Sequence, residues 1–152
     1  MTEITVGLES PRQGDVLRLI EALDAYQSGL YPPESNHFLD LDALAGPRAR
    51  FFVARRDGHA LGCAALLIDP AGWGELKRMF VSPEARGLKL GRRLLERIEE
   101  EGRREGLRWL RLETGVRQPE ALGLYRSAGY VERAAFGAYE PDPLSVFMEK
   151  SL

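Results

Sequence analysis

Apolar and polar residues alternate from Ile4 to Leu8, the period of a half-buried strand, and then the spacing changes. Ser10-Pro11-Arg12-Gln13 has the form of a capping box with proline at the first helical position, and Val16, Leu19, Ile20, Leu23 and Tyr26 recur at the helical period as far as Gly29, a stop signal. In the next stretch, Leu30 to His37, Pro32 and Pro33 forbid regular helix among the polar groups of Tyr31, Glu34, Ser35, Asn36 and His37. A short second helix is expected over Phe38 to Leu44. Phe51 to Arg56 and His59 to Ile68 are strand-like runs joined by Asp57-Gly58, the turn that best fits hairpin twist, and Asp69-Pro70-Ala71-Gly72 leads into a third antiparallel strand, Trp73 to Val81. Leu90, Leu94 and Ile98, flanked by Gly91, Leu95 and Gly102, then form one apolar helical stripe. The opposite face carries acid-first pairs, Glu99 with Arg103 and Glu100 with Arg104, and reads as a solvated surface. After Gly106, Trp109 to Thr114 is a strand whose strand–helix–strand connection predicts parallel, right-handed pairing. A helix from Pro119 to a C-cap at Gly129 and two closing strands, Tyr130 to Phe136 and Ser145 to Glu149, complete the α/β pattern, with a turn-rich loop from Gly137 to Pro143.

Composition narrows the function classes. A chain of 152 residues, 44% apolar and 29% charged, suits one domain spanning 1–152. A net charge of −2 gives no overall attraction to nucleic acid or anionic membrane, and no apolar run is long enough to span a bilayer. The single cysteine, Cys63, lies in an apolar run and reads as a packing residue; with only His37 and His59 and no Cys-x-x-Cys, no metal is expected. A cytoplasmic protein is the default, and a homodimer is left open. The chemistry concentrates between Glu75 and Gly91, where a strand, a loop and a helix start follow one another. Helix-start N–H groups, Gly87 and the cation Arg86 make an anion site in outline, although neither the Walker nor the dinucleotide glycine pattern is present.

Two motifs, set in this order of elements, resemble the GCN5-related N-acetyltransferases (GNAT). Arg86-Gly87-Leu88-Lys89-Leu90-Gly91 is similar to the family's Arg/Gln-x-x-Gly-x-Gly/Ala, with Lys89 in place of the middle glycine; a lysine beside phosphates is electrostatically welcome. Ala121-Leu122-Gly123-Leu124-Tyr125-Arg126-Ser127-Ala128-Gly129-Tyr130 looks like the family's Ala-x-x-Leu-Tyr-x-x-x-Gly-Phe/Tyr. The resemblance covers nearly the whole chain. It implies a mixed, mostly antiparallel twisted sheet of about seven strands with helices on both faces, splayed between strands four and five. It also implies acetyl-CoA as cosubstrate, its pantetheine along Met79, Phe80 and Val81 and its pyrophosphate on the amides from Arg86 through Gly87, Leu88, Lys89, Leu90 and Gly91, with Arg92 close by.

The reaction so implied needs a neutral amine and a proton for the departing thiolate. An amine with pKa near ~10 is neutral in only about one molecule per thousand at neutral pH, so a base is required. Glu75, eleven residues before Arg86, matches the spacing of the carboxylate base in histone-type members, and Tyr125 matches the tyrosine that protonates the thiolate. Glu75 could equally be a cross-strand charge and Tyr125 a rim tyrosine with its ring in the core; Glu34 and His37 are the next bases to test. By family position, Tyr31, Asn36, His37 and Tyr139 would line the acceptor side, and their weakly charged character suits a small amine or amino-acid-like acceptor. A non-catalytic acyl-CoA-binding module on the same fold is the alternative.

Overall fold

The computed structural model describes residues 3–33 and 41–152. In chain order these form β1 (Thr5–Leu8), α1 (Gly14–Leu30), α2 (Leu41–Leu44), β2 (Ala49–Arg56), β3 (His59–Asp69), β4 (Trp73–Val81), a 3-10 turn (Pro83–Ala85), α3 (Leu90–Arg104), β5 (Trp109–Gly115), α4 (Pro119–Ser127), β6 (Val131–Arg133) and β7 (Ser145–Ser151). The seven strands make one sheet in the order β1-β2-β3-β4-β5-β7-β6. Every pairing is antiparallel except β4 with β5, the parallel pair that the intervening helix demands. The Asp57-Gly58 hairpin has positive φ at both residues, as a type I′ turn requires.

Each face of the sheet has its own core. Val16, Leu19 and Ile20 of α1, with Leu44 of α2, pack on Phe51, Val53, Cys63 and Ala65. On the other face Leu90, Leu94, Leu95 and Ile98 of α3, with Leu122 and Tyr125 of α4, cover Leu66, Leu76, Leu110, Leu112 and Met148. The apolar stripe on α3 is therefore what fixes the helix start that follows the Arg86 loop.

Several local expectations give way to tertiary structure. α1 begins at Gly14 with Gln13 as N-cap and no side-chain cap, because the Ser10 hydroxyl is engaged one turn early, accepting the N–H of Arg12 at 3.1 Å. The helix also runs through Gly29 and stops only where Pro32 and Pro33 follow Tyr31; Tyr26 is 44% exposed rather than buried. α2 starts at Leu41, and its expected first turn, Phe38 to Asp40, lies outside the described residues. β6 is shorter than expected because Phe136 leaves the strand line and packs edge-on against Trp73, Tyr139 and Phe147.

The charged face of α3 is not simply solvated. Glu99 is buried at its margin, and Glu101, seven residues after Leu94, is buried in line with the apolar stripe. Glu99 accepts hydrogen bonds from the Tyr130 hydroxyl at 3.0 Å and Lys150 Nζ at 2.9 Å, and Glu101 accepts from Arg97 at 3.5 Å and Arg104 at 3.3 Å. Buried carboxylates persist only when paired in this way.

Candidate active site

The site is a wedge in the sheet. Pairing between β4 and β5 stops at Leu76–Leu112, whereas β4 stays paired to β3 as far as Val81–Gly62 and β5 to β7 as far as Gly115–Ser145. Each strand follows its outer neighbour, so the two diverge. A β-bulge sharpens the divergence: from Ala65–Lys77 to Cys63–Phe80, β4 spends one residue more than β3, and Arg78 takes up the excess at φ 57°. The resulting cavity, about 720 Å³, runs from the N-terminus of α3 to the flank of α1.

At the α3 end, Met79, Phe80, Val81, Arg86 and Gly91 line the cavity. The freed edge of β4 from Lys77 to Val81 presents backbone groups that β5 no longer satisfies. Lys89, where the family motif has glycine, keeps the left-handed backbone that glycine would favour, φ 57° and ψ 33°, and caps α3. The first helical hydrogen bond to this cap is from the Arg93 N–H to the Lys89 carbonyl at 3.2 Å, so the N–H groups of Leu90, Gly91 and Arg92 precede the ladder and point out of the helix end. Arg86, Gly87 and Lys89 are exposed around this concavity. Leu90 is a core residue and Leu88 packs on the same core, so these two can offer only backbone; the Arg92 guanidinium donates to Ser127 Oγ at 3.2 Å.

Tyr125 reaches the cavity from α4. It is 5% exposed, and its ring meets Tyr130 edge-on at 5.9 Å. Burial alone pushes its phenol well above the usual tyrosine range, which keeps the hydroxyl protonated and able to give a proton.

Glu75 lies elsewhere. It belongs to the still-paired part of β4, opposite Arg111, and lines a separate hollow of about 580 Å³ with Trp73 and Ile68. The Tyr139 hydroxyl donates to Glu75 Oε2 at 2.5 Å and accepts from Lys77 Nζ at 2.5 Å, while Lys77 Nζ stands 3.6 Å from the same carboxylate oxygen. Burial, then the charges of Glu75 and Glu113, push the Tyr139 phenol far up. Two carboxylates line the Tyr125 cavity: Glu120, exposed on α4, and Glu113, the first β5 residue beyond the last β4 pair, held by a 2.8 Å hydrogen bond from Ser145 Oγ. The sequence reading passed over Glu113. Its only signal was strand parity, which sets Glu113 opposite in facing to the buried Leu112.

Tyr31 is buried, and its hydroxyl accepts the Arg117 N–H at 3.0 Å and donates to Gln118 Oε1 at 3.2 Å. The Tyr31 hydroxyl oxygen sits 1.8 Å from where a Cβ on Gly115 would be, so only glycine admits this strut between the end of α1 and the β5–α4 loop. Burial raises the Tyr31 phenol as well. Tyr31 therefore stands as a wall of the cavity at the end of α1. Asn36 and His37 lie outside the described residues. Cys63 is fully buried, donates weakly to the Arg78 carbonyl at 3.4 Å, and has its thiol pushed up to about 12 by burial, as befits a packing residue.

The profile of the Acetyltransferase (GNAT) family matches residues 16–130. The chain belongs to the GNAT acetyltransferases. It is similar to an IAA acetyltransferase of Azospirillum brasilense, 58% identical over 100% of both chains. A solved structure from Klebsiella pneumoniae, named only provisionally as an acyl-CoA N-acyltransferase, is 39% identical and superposes with a TM-score of 0.82 over 100% of this chain and 98% of its own. An N-acetyltransferase of Thermoplasma acidophilum in complex with coenzyme A shares the fold at TM-score 0.73 and 20% identity, covering 99% of each chain. This acetyltransferase is thus an acetyl-CoA-dependent acyltransferase, and the splayed sheet expected from the motifs is present.

Proposed function

We propose that this enzyme moves the acetyl group of acetyl-CoA to the primary amine of a small, amino-acid-like molecule by direct attack. Pantetheine amides pair with the freed β4 edge at Met79, Phe80 and Val81, and the pyrophosphate meets the helix-start N–H groups of Leu90, Gly91 and Arg92 beside the Arg86 loop. The amine nitrogen attacks the thioester carbonyl, the C–S bond breaks, the thiolate takes the Tyr125 proton, and the ammonium proton passes to a carboxylate. The observation that carries this reading is that Glu113 and Tyr125 line the same cavity from β5 and α4, one able to accept a proton and the other held protonated.

Glu113 is therefore a better candidate base than Glu75, whose Oε2 is already engaged by Tyr139 in front of a different hollow. Glu75 instead supports the cavity wall by fixing Tyr139 beside Lys77.

Thiol release from acetyl-CoA over a panel of amines tests the assignment. Glu113→Gln should lower kcat by about 10² to 10⁴-fold with CoA affinity kept, and Glu75→Gln should cost much less. The reverse order would return the base to Glu75. Tyr125→Phe preserves the ring and should cut kcat within the same range; a loss below about threefold would make Tyr125 a packing residue.

A further inference from the structure

The bulge in β4 does more than open the wedge. In a regular strand Lys77 would face α1 and residue 78 would face α3. Here both side chains turn to the α1 side: Lys77 reaches Tyr139, and Arg78 forms an ion pair with Asp24 of α1. Neighbouring alternation resumes afterwards, since Met79 packs with the α3 core and Phe80 with the α1 core. The extra residue sits in a left-handed conformation that a side chain adopts only at a cost, and strain of this kind gathers at functional sites. What it achieves is two consecutive cations on one wall of the cavity. Both line it, with Glu113 on the other strand of the wedge.

Arg78 is the less expected of the two. Its side chain is 7% exposed, whereas that of Asp24 is 36% exposed, so a nearly buried cation is matched by an acid half in water. A guanidinium carries five N–H donors in a planar fork and can hold two carboxylates at once.

We infer that the acceptor is an α-amino acid, its carboxylate held by Arg78 on the β4 wall and its amine directed to Glu113 on the β5 wall. The inference rests on the acetyl-transfer reading above and adds to it the second charge of the substrate. Lys77 contributes positive potential beside Arg78 while it holds Tyr139.

The test compares each standard L-amino acid that the wild-type enzyme acetylates with its amide and its decarboxylated amine, for example leucine, leucinamide and isopentylamine. Wild type should prefer the free acid. In Arg78→Gln the ratio of kcat/KM for acid over amide should collapse by about tenfold to a hundredfold, chiefly through KM, with CoA binding by calorimetry retained. Asp24→Asn removes a competing carboxylate and should raise that ratio. Equal use of acid, amide and amine by wild type overturns the inference, as does an unchanged ratio in folded Arg78→Gln. Should Arg78→Gln fail to fold, Asp24→Asn decides: equal losses on acids and amides would make the pair purely structural and end the proposal. A wild-type enzyme that binds CoA yet acetylates neither class would bring down the acetyl-transfer reading itself, a result distinct from failure of carboxylate selection.

Discussion

Lys89→Gly should make the protein more stable and a weaker binder of coenzyme at the same time. Lys89 caps α3 with φ 57° and ψ 33°, and its side chain is exposed. A side chain in the left-handed region costs roughly 1–2 kcal/mol, which glycine removes, while the extra freedom of glycine in the unfolded chain returns about 0.5–1 kcal/mol of that gain. The net stabilisation is about 0.5–1 kcal/mol, and for a chain of this length 1 kcal/mol moves the melting temperature by roughly 2–4 °C. Calorimetric melting of ligand-free protein should therefore rise by about 1–4 °C. Loss of one exposed cation beside a polyphosphate should weaken CoA binding by about two- to fivefold in low salt, the range of a surface ion pair, and the difference should shrink as salt is added. A melting temperature that falls would refute the strain assignment. An unchanged CoA affinity at low salt would refute a phosphate site at this helix end.

Gly115→Ala should destabilise by about 1–3 kcal/mol, since its Cβ would lie on the Tyr31 hydroxyl; in denaturant melts the double variant with Tyr31→Ala should lose less than the two single losses added together. Stability should also fall as pH drops below 4.5: hydrogen bonds from Arg55 hold Glu9 and Asp15 below their ordinary values of 4.5 and 3.8, so the unfolded chain takes up protons first and the folded state loses this support as pH falls through the lowered values. Arg55→Gln should flatten that acid limb in urea titrations at stepped pH, and an unaltered limb would assign it to other carboxylates.

What could be read in advance was whatever depends on spacing within one segment. The Asp57-Gly58 hairpin, the apolar stripe of α3 and the Arg86–Gly91 loop are such local patterns, and all three are present. Glu113 was missed for a different reason: periodicity tells which side of β5 a residue faces, but whether it lines the cavity depends on where β4 and β5 part, a property of two registers together. The same limit misplaced Glu99, whose burial is matched by hydrogen bonds from Tyr130 and Lys150, residues far from it in the chain. Tyr31 could be suspected as an acceptor-side residue by position, yet only contact with the β5–α4 loop reveals that its hydroxyl is a strut.

The contact of Tyr31 with Gly115 also constrains how this sequence can drift. Any side chain at 115 placed before the tyrosine is lost must pass through an overlap at 1.8 Å, whereas a small residue at 31 first leaves only a gap. Exchange at these two sites thus has a preferred order, tyrosine first and glycine second. Descendants that keep the tyrosine should be found to keep the glycine, while those that keep the glycine are under no matching obligation.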